Sequence, residues 1–207
     1  MKKINLLILT AVTLFSLSKV SNAQSTVKIG NQIWTAKNLD VTTYRNGDPI
    51  PQVQDKADWV KLTSGAWCYY ANKTENGITY GKLYNWYAVK DSRGIAPEGF
   101  HIPSDSEWTI LENTLGGKDK CGKELKSSKG WNKNGNGTNS SGFTAIPGGG
   151  RDDVGSFNYI GGFAGWWSAT EAFNSGAWYR YLLRGYNIIY RSSFEKTNGF
   201  SVRCVKD

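Results

Sequence analysis

The chain has 207 residues, 39% of them hydrophobic and 14% aromatic, with a formal net charge of +8. That length fits one domain with room for a full core, and so modest a charge argues against a nucleic-acid partner. Nine Trp and 24 Gly point away from a helical bundle and toward a loop-rich domain organised around a few large rings.

Taken in chain order, residues 1–23 read as a secretory signal peptide. Met1-Lys2-Lys3 is the basic start, residues 4–18 are an apolar run too short to span a membrane, and Ser21 and Ala23 occupy the −3 and −1 positions. The mature chain is therefore expected to be one exported domain, 24–207, without a transmembrane anchor: secreted, surface-bound or periplasmic. Removing Lys2, Lys3 and Lys19 takes the net charge from +8 to +5.

Residues 27–39, VKIGNQIWTAKNL, predict a hairpin that turns at Gly30-Asn31. Residues 65–71 predict a strand, and YGKLYNWYAV (80–89) a short amphipathic helix with Leu83, Trp86 and Tyr87 on one face. PEGFHIPSDSEW (97–108) holds the only histidine. In it Ser104 and Glu107 form a capping box, so the stretch starts a helix marked by Trp108, Leu111 and Leu115 and closed at Gly116-Gly117. His101 is read as a turn residue leading into that helix rather than as a catalytic base.

Residues 126–165 predict a Gly-, Asn- and Ser-rich loop region, folded down by Trp131, Phe143 and Phe157. WWSAT (166–170), AWYRYLLR (177–184), NIIYR (187–191) and FSVRCV (200–205) then predict an antiparallel β set. Of the three cysteines, Cys68 and Cys204 lie in apolar patterns and Cys121 in a polar one. This favours a Cys68–Cys204 disulfide with Cys121 exposed and free.

Catalytic and metal motifs are incomplete. No G-x-S-x-G elbow accompanies His101, no zinc or EF-hand spacing occurs, and GKDKCGKE fails as a P-loop because Glu124 replaces the needed hydroxyl. No cofactor is expected, although a structural calcium ion stays open. Glycoside hydrolysis would need a carboxylate pair drawn from Asp152, Asp153 and Glu171.

Binding has more candidates. On AWYRYLLR, alternation places Trp178, Arg180, Leu182 and Arg184 on one face, which Arg191 and Arg203 extend, and Ala177, Tyr179, Tyr181 and Leu183 on the other. An indole beside guanidinium forks suits a glycan; the alternative places Trp178 in the core with the arginines as a solvated edge. Trp166 and Trp167 must point opposite ways, one into the core and one nearer the loops. Arg151 and Asp153 follow three glycines in a polar loop that would allow close approach. The predicted ligand site is therefore Arg151, Asp153, Trp167, Trp178, Arg180 and Arg184.

In order, IGNQIWTAKNLDV, YGKLYNWYAV, PEGFHIPSDSEW, the GF and PGGGR of 142–151, GWWSATE and GFSVRCVKD resemble the Fibrobacter succinogenes major paralogous domain family. The resemblance implies an α+β, C-type-lectin-like fold, with two short helices packed on a twisted antiparallel sheet and a long Gly-rich loop region. It is similar to the formylglycine-generating, sulfatase-modifying group. The chain lacks that group's reactive cysteine pair, and it lacks the E-P-N, Q-P-D and W-N-D motifs of calcium-dependent lectins. The function expected is non-catalytic recognition or adhesion at the cell surface or outside it, with a glycan or a surface protein as partner. The alternatives are a structural surface component, or a hydrolase or modifying enzyme on the same fold.

Overall fold

The computed structural model describes residues 25–207; the expected signal peptide and its cleavage site lie outside the described residues. The opening hairpin forms as the turn residues dictate. β1 (Thr26–Ile29) and β2 (Gln32–Thr35) pair antiparallel, and Gly30 takes a φ of +59°, the left-handed geometry such a turn needs. There follow α1 (Lys56–Trp59), β3 (Trp67–Cys68), α2 (Thr74–Tyr80), β4 (Leu83–Tyr84), α3 (Trp86–Lys90) and β5 (Phe100–His101). α4 (Asp105–Thr114) starts at the expected capping box, with Ser104 and Glu107 exchanging side-chain and backbone hydrogen bonds. The remainder is α5 (Cys121–Leu125), β6 (Gly150–Arg151), β7 (Phe157–Asn158), β8 (Phe163–Phe173), β9 (Gly176–Leu183), β10 (Ile189–Glu195) and β11 (Val205–Lys206).

The result is an α+β arrangement of short helices and antiparallel sheets, in the orders β1-β2-β11-β5, β10-β9-β8, β3-β4 and β6-β7. Among the described residues no helix is long and apolar enough to cross a membrane. Residues 80–89 do not form one helix. Gly81, at φ +74°, ends α2 against the Leu39 carbonyl; Leu83 and Tyr84 then pair with Cys68 and Trp67, and the Asn85 side chain caps α3. The expected 65–71 strand shortens to Trp67–Cys68. Residues 200–205 leave the β8–β10 set: Ser201 bridges Trp166 in parallel, and Val205 pairs with Trp34 and His101.

β8 is the central partition. Trp166 and Trp167 point to opposite faces and both are fully buried, Trp166 on the side that packs against Phe143 of the loop region. Trp166 joins Trp34, Trp108 and Phe143 in one aromatic cluster, and Trp167 joins Trp86, Tyr179 and Phe200 in another. Several indoles also tie a backbone carbonyl to the core. Trp59 donates to Thr197, Trp67 to Ile50, Trp86 to Ser168, Trp131 to Ala145 and Trp167 to Tyr84. A ring with one donor buries much area while satisfying a main-chain oxygen, at Thr197, Ile50 and Ala145 in segments outside any strand.

The cysteines correct the sequence reading. Cys68, Cys121 and Cys204 are all buried and free. Cys204 lies in the Trp167 cluster, Cys68 in a separate one with Trp59 and Leu83, and Cys121 packs with Trp108 instead of facing solvent. Burial pushes each thiol up to about 12. A thiol reagent is therefore expected to leave the native protein unlabelled and to titrate all three cysteines after denaturation. A bridged pair would leave a single one.

Arg203 is the other correction: it does not extend a ligand face but is fully buried. Its Nε donates to Asn38 Oδ1 (2.8 Å), Nη1 to the Thr35 and Phe143 carbonyls (2.6 and 2.9 Å), and Nη2 to that of Thr144 (3.1 Å). Asn38 Oδ1 also accepts from the Trp166 indole (2.9 Å), while its amide donates to Tyr80 O and Ser201 Oγ. Arg203→Met strands several buried acceptors at once. Denaturant unfolding should show a loss of about 3 kcal/mol or more.

Candidate functional site

The two faces of β9 part as alternation predicts, and α4 decides which one is buried. Asp105, Thr109 and Glu112 lie at helical spacing on one stripe of α4, which packs on β8 and β9. Arg180, fully buried, donates through Nε to Glu112, through Nη1 to Asp105 Oδ1 (2.6 Å) and through Nη2 to the Asp105 carbonyl and Thr109 Oγ1 (both 3.2 Å). Arg191 pairs with the same Asp105 carboxylate at 3.0 Å and lies 3.3 Å from the Trp178 ring centroid. Burial pushes the Asp105 carboxyl up, but Arg191 and Arg180 outweigh it and hold the group below its ordinary value. The predicted ligand face is thus an internal ion cluster, with Arg180 sealed and the half-buried Trp178 covered by a guanidinium.

The opposite face carries the opening. Near Trp167 it is closed by α3, but farther along β9 and β10 it is not. There lies a cleft of about 740 Å³. Phe163, Tyr179, Tyr181, Phe194 and Phe200 line it, and Tyr159 and Tyr186 stand at its rim, 74% and 55% exposed. Four rings form a nearly parallel file, with Phe194 tilted against it. Phe200 and Tyr179 have centroids 4.7 Å apart at 8°, Tyr179 and Tyr181 5.2 Å at 13°, and Tyr181 and Tyr190 4.9 Å at 15°. Burial, then the neighbouring Tyr181, raises the Tyr179 phenol, so it stays neutral and can donate.

The other predicted residues divide. Arg184 is exposed and lines the cleft. Arg151 also borders it, but its guanidinium is buried between Trp59 and Phe157, donating to the carbonyls of Gly155, Val53, Gln54 and Asp55. Asp153 lies outside, on a separate surface dip beside Lys56 and Val60. Trp167 is fully interior. Asp152 is the one carboxylate among the lining residues, accepting from Ser156 N (2.6 Å) and Asn158 Nδ2 (2.7 Å). Glu171 pairs instead with Lys196. The lining therefore holds no carboxylate pair, and among the described residues no cluster of three or more His, Cys, Asp or Glu is placed to hold a metal ion.

Sequence reasoning placed Tyr179 and Tyr181 opposite Arg180 and set the ligand on the Arg180 face, which α4 covers. The acidic stripe of α4 was the signal that could have reversed the choice. It also passed over Lys126, which is 1% exposed and donates to the carbonyls of Leu183 (2.6 Å), Tyr186 (2.6 Å) and Arg184 (3.4 Å), in the turn that walls the cleft. Burial lowers its pKa to about 8.

Residues 27–206, from β1 to β11, match the family model of the Fibrobacter succinogenes major domain. The chain belongs to this family. No curated protein and no solved structure matches it. The Fibrobacter succinogenes major domain thus contains the whole cleft and the PEGFHIPSDSEW stretch.

In that stretch His101 stands in β5, opposite Val205, rather than in a turn. Its ring spans two carboxylates, Nδ1 to Asp207 (2.7 Å) and Nε2 to Glu107 (2.8 Å), and Glu107 also completes the α4 cap. Burial alone would lower its pKa, but the bonds to Asp207 and Glu107 outweigh that and raise it above 6.5. A raised pKa makes its contribution full below the unfolded value and lost as pH climbs through the folded one. Denaturant titrations should therefore find His101→Ala most destabilising near about pH 6, with the deficit shrinking toward about pH 9. A pH-independent deficit would mean that packing, not charge, is what His101 supplies.

Proposed function

We propose that the domain is an exported, non-catalytic recognition module and that it binds a glycan in the aromatic cleft. The observation that carries this reading is the file of stacked rings that runs from the buried Phe200 and Tyr179 to the half-buried Tyr181 and Tyr190, on the part of the sheet face that no helix covers. Sugar rings offer apolar C–H faces ringed by hydroxyls, and tyrosines answer with both an aromatic body and a polar tip. Polar groups are few and sit at the edge, at Asp152, Asn158 and Arg184, where they would set orientation. A C-type-lectin-like arrangement belongs to the same reading, supported by the short helices, small antiparallel sheets and long folded-down loops.

The test is calorimetric binding of the 24–207 protein to a panel of polysaccharides. Tyr181→Ala should weaken a positive interaction by about tenfold or more. It should also lower the unfolding midpoint, because the ring stacks on Phe163, Tyr179 and Tyr190, so affinity is read below that midpoint. Trp178→Ala, on the covered face, should leave affinity unchanged. Folded protein that binds no member of the panel would sink the glycan reading.

A further inference from the structure

The charges around the cleft do not balance. Arg151, Arg184 and Lys126 all belong to its walls or hold them, and none is ion-paired to a carboxylate among the described residues. Arg151 and Lys126 donate their hydrogen bonds to backbone carbonyls, which are dipoles without net charge. Asp152 is the one acidic side chain lining the cleft, and its oxygens are taken by a backbone N–H and the Asn158 amide.

Uncompensated cations in a low-dielectric wall are costly, and the cost falls when a counter-charge arrives. Some buried or half-buried cations of the chain have carboxylate partners: Arg180 has Asp105 and Glu112, Lys82 has Asp40, and Lys196 has Glu171. Arg203 has none and is held by carbonyls and Asn38, but it is sealed from solvent. At the cleft the unpaired cations include one that solvent reaches. Arg184 is the cation able to reach a ligand. Its backbone N–H is bonded to the Gly162 carbonyl, and its guanidinium lies along Gly162, where a Cβ would stand 3.5 Å from Nη1. Arg184 is also backed by Gly135, where a Cβ would stand 2.6 Å from the Arg184 carbonyl, and by Lys126. The residue that presents the fork is thus held by packed backbone.

We infer that the cleft selects acidic saccharides, with Arg184 as the specificity-determining residue that takes an anionic ring substituent while the tyrosine file takes the sugar face. This rests on the reading of the cleft as a glycan site and adds the chemical class. A planar guanidinium binds a carboxylate or a sulfate ester through paired N–H donors, and the unpaired wall cations give the cleft a positive field that draws either group.

The test pairs each acidic polymer with its neutral parent: polygalacturonate with its carboxyl-reduced form, and dextran sulfate with dextran. Binding is measured on the 24–207 protein at low and at moderate salt. At least one acidic polymer should bind about tenfold or more tighter than its parent, with the margin shrinking as salt rises. The pair that shows it identifies the substituent as carboxylate or sulfate. Arg184→Gln, an exposed substitution, should remove most of the margin while binding to the neutral parent persists. Equal affinity within both pairs, or a margin untouched by Arg184→Gln, overturns the acidic preference and leaves the glycan reading standing. No binding to any of the four overturns both.

Discussion

The arrangement depends on one buried guanidinium. Arg203 draws the end of the β1–β2 hairpin, the 143–144 loop and Asn38 onto the last segment of the chain, and its Cζ lies 4.4 Å from the Phe143 ring centroid. Asn38 passes the constraint on to Trp166 in β8. The segments so joined are distant in sequence, and two of them, Asn38 and the 143–144 loop, lie outside any strand. In a protein with long sheets, backbone pairing would do this joining. Here a single planar fork with fixed donor directions substitutes for it.

From that anchor the division of β8 and β9 follows. One side of the partition receives α4 and with it the acidic stripe that neutralises Arg180. The other receives α3 over only part of its length. The uncovered remainder has to be tolerable in water, and tyrosine serves that end better than leucine because its hydroxyl stays hydrated while its ring packs on its neighbours. The cleft is thus the part of a core-like face that no helix reaches. Its shape is set by the turn after β9, which in turn is held by Lys126.

Local features were readable from the chain, and their consequences at a distance were not. The capping box of α4 and the Gly30 turn involve neighbours in sequence, so their chemistry declares them. The alternation along β9 was equally plain. Which of its faces would be covered depended on Asp105, Thr109 and Glu112, some seventy residues away. Arg151, Arg203 and Lys126 were beyond reach for a different reason. Apart from Asn38 beside Arg203, their partners are main-chain carbonyls, which every residue carries, so no residue type marks the acceptor. The cysteine pairing failed similarly: apolar surroundings identify a buried thiol but not its neighbour.

The indole and cation donors grip their partners, in loops and strands alike, by main-chain oxygens rather than by side chains. Thr197, Ile50, Ser168, Ala145, Val53 and Leu183 are held in this way, and substitution of any of them by another L-residue preserves the gripped atom. Ile50, Ser168 and Ala145 are also buried, so packing still restricts them, whereas Thr197, Val53 and Leu183 are half-buried. At those three positions the grip itself places no demand on the side chain, and Leu183, which lines the cleft, can be exchanged without losing its hold on Lys126.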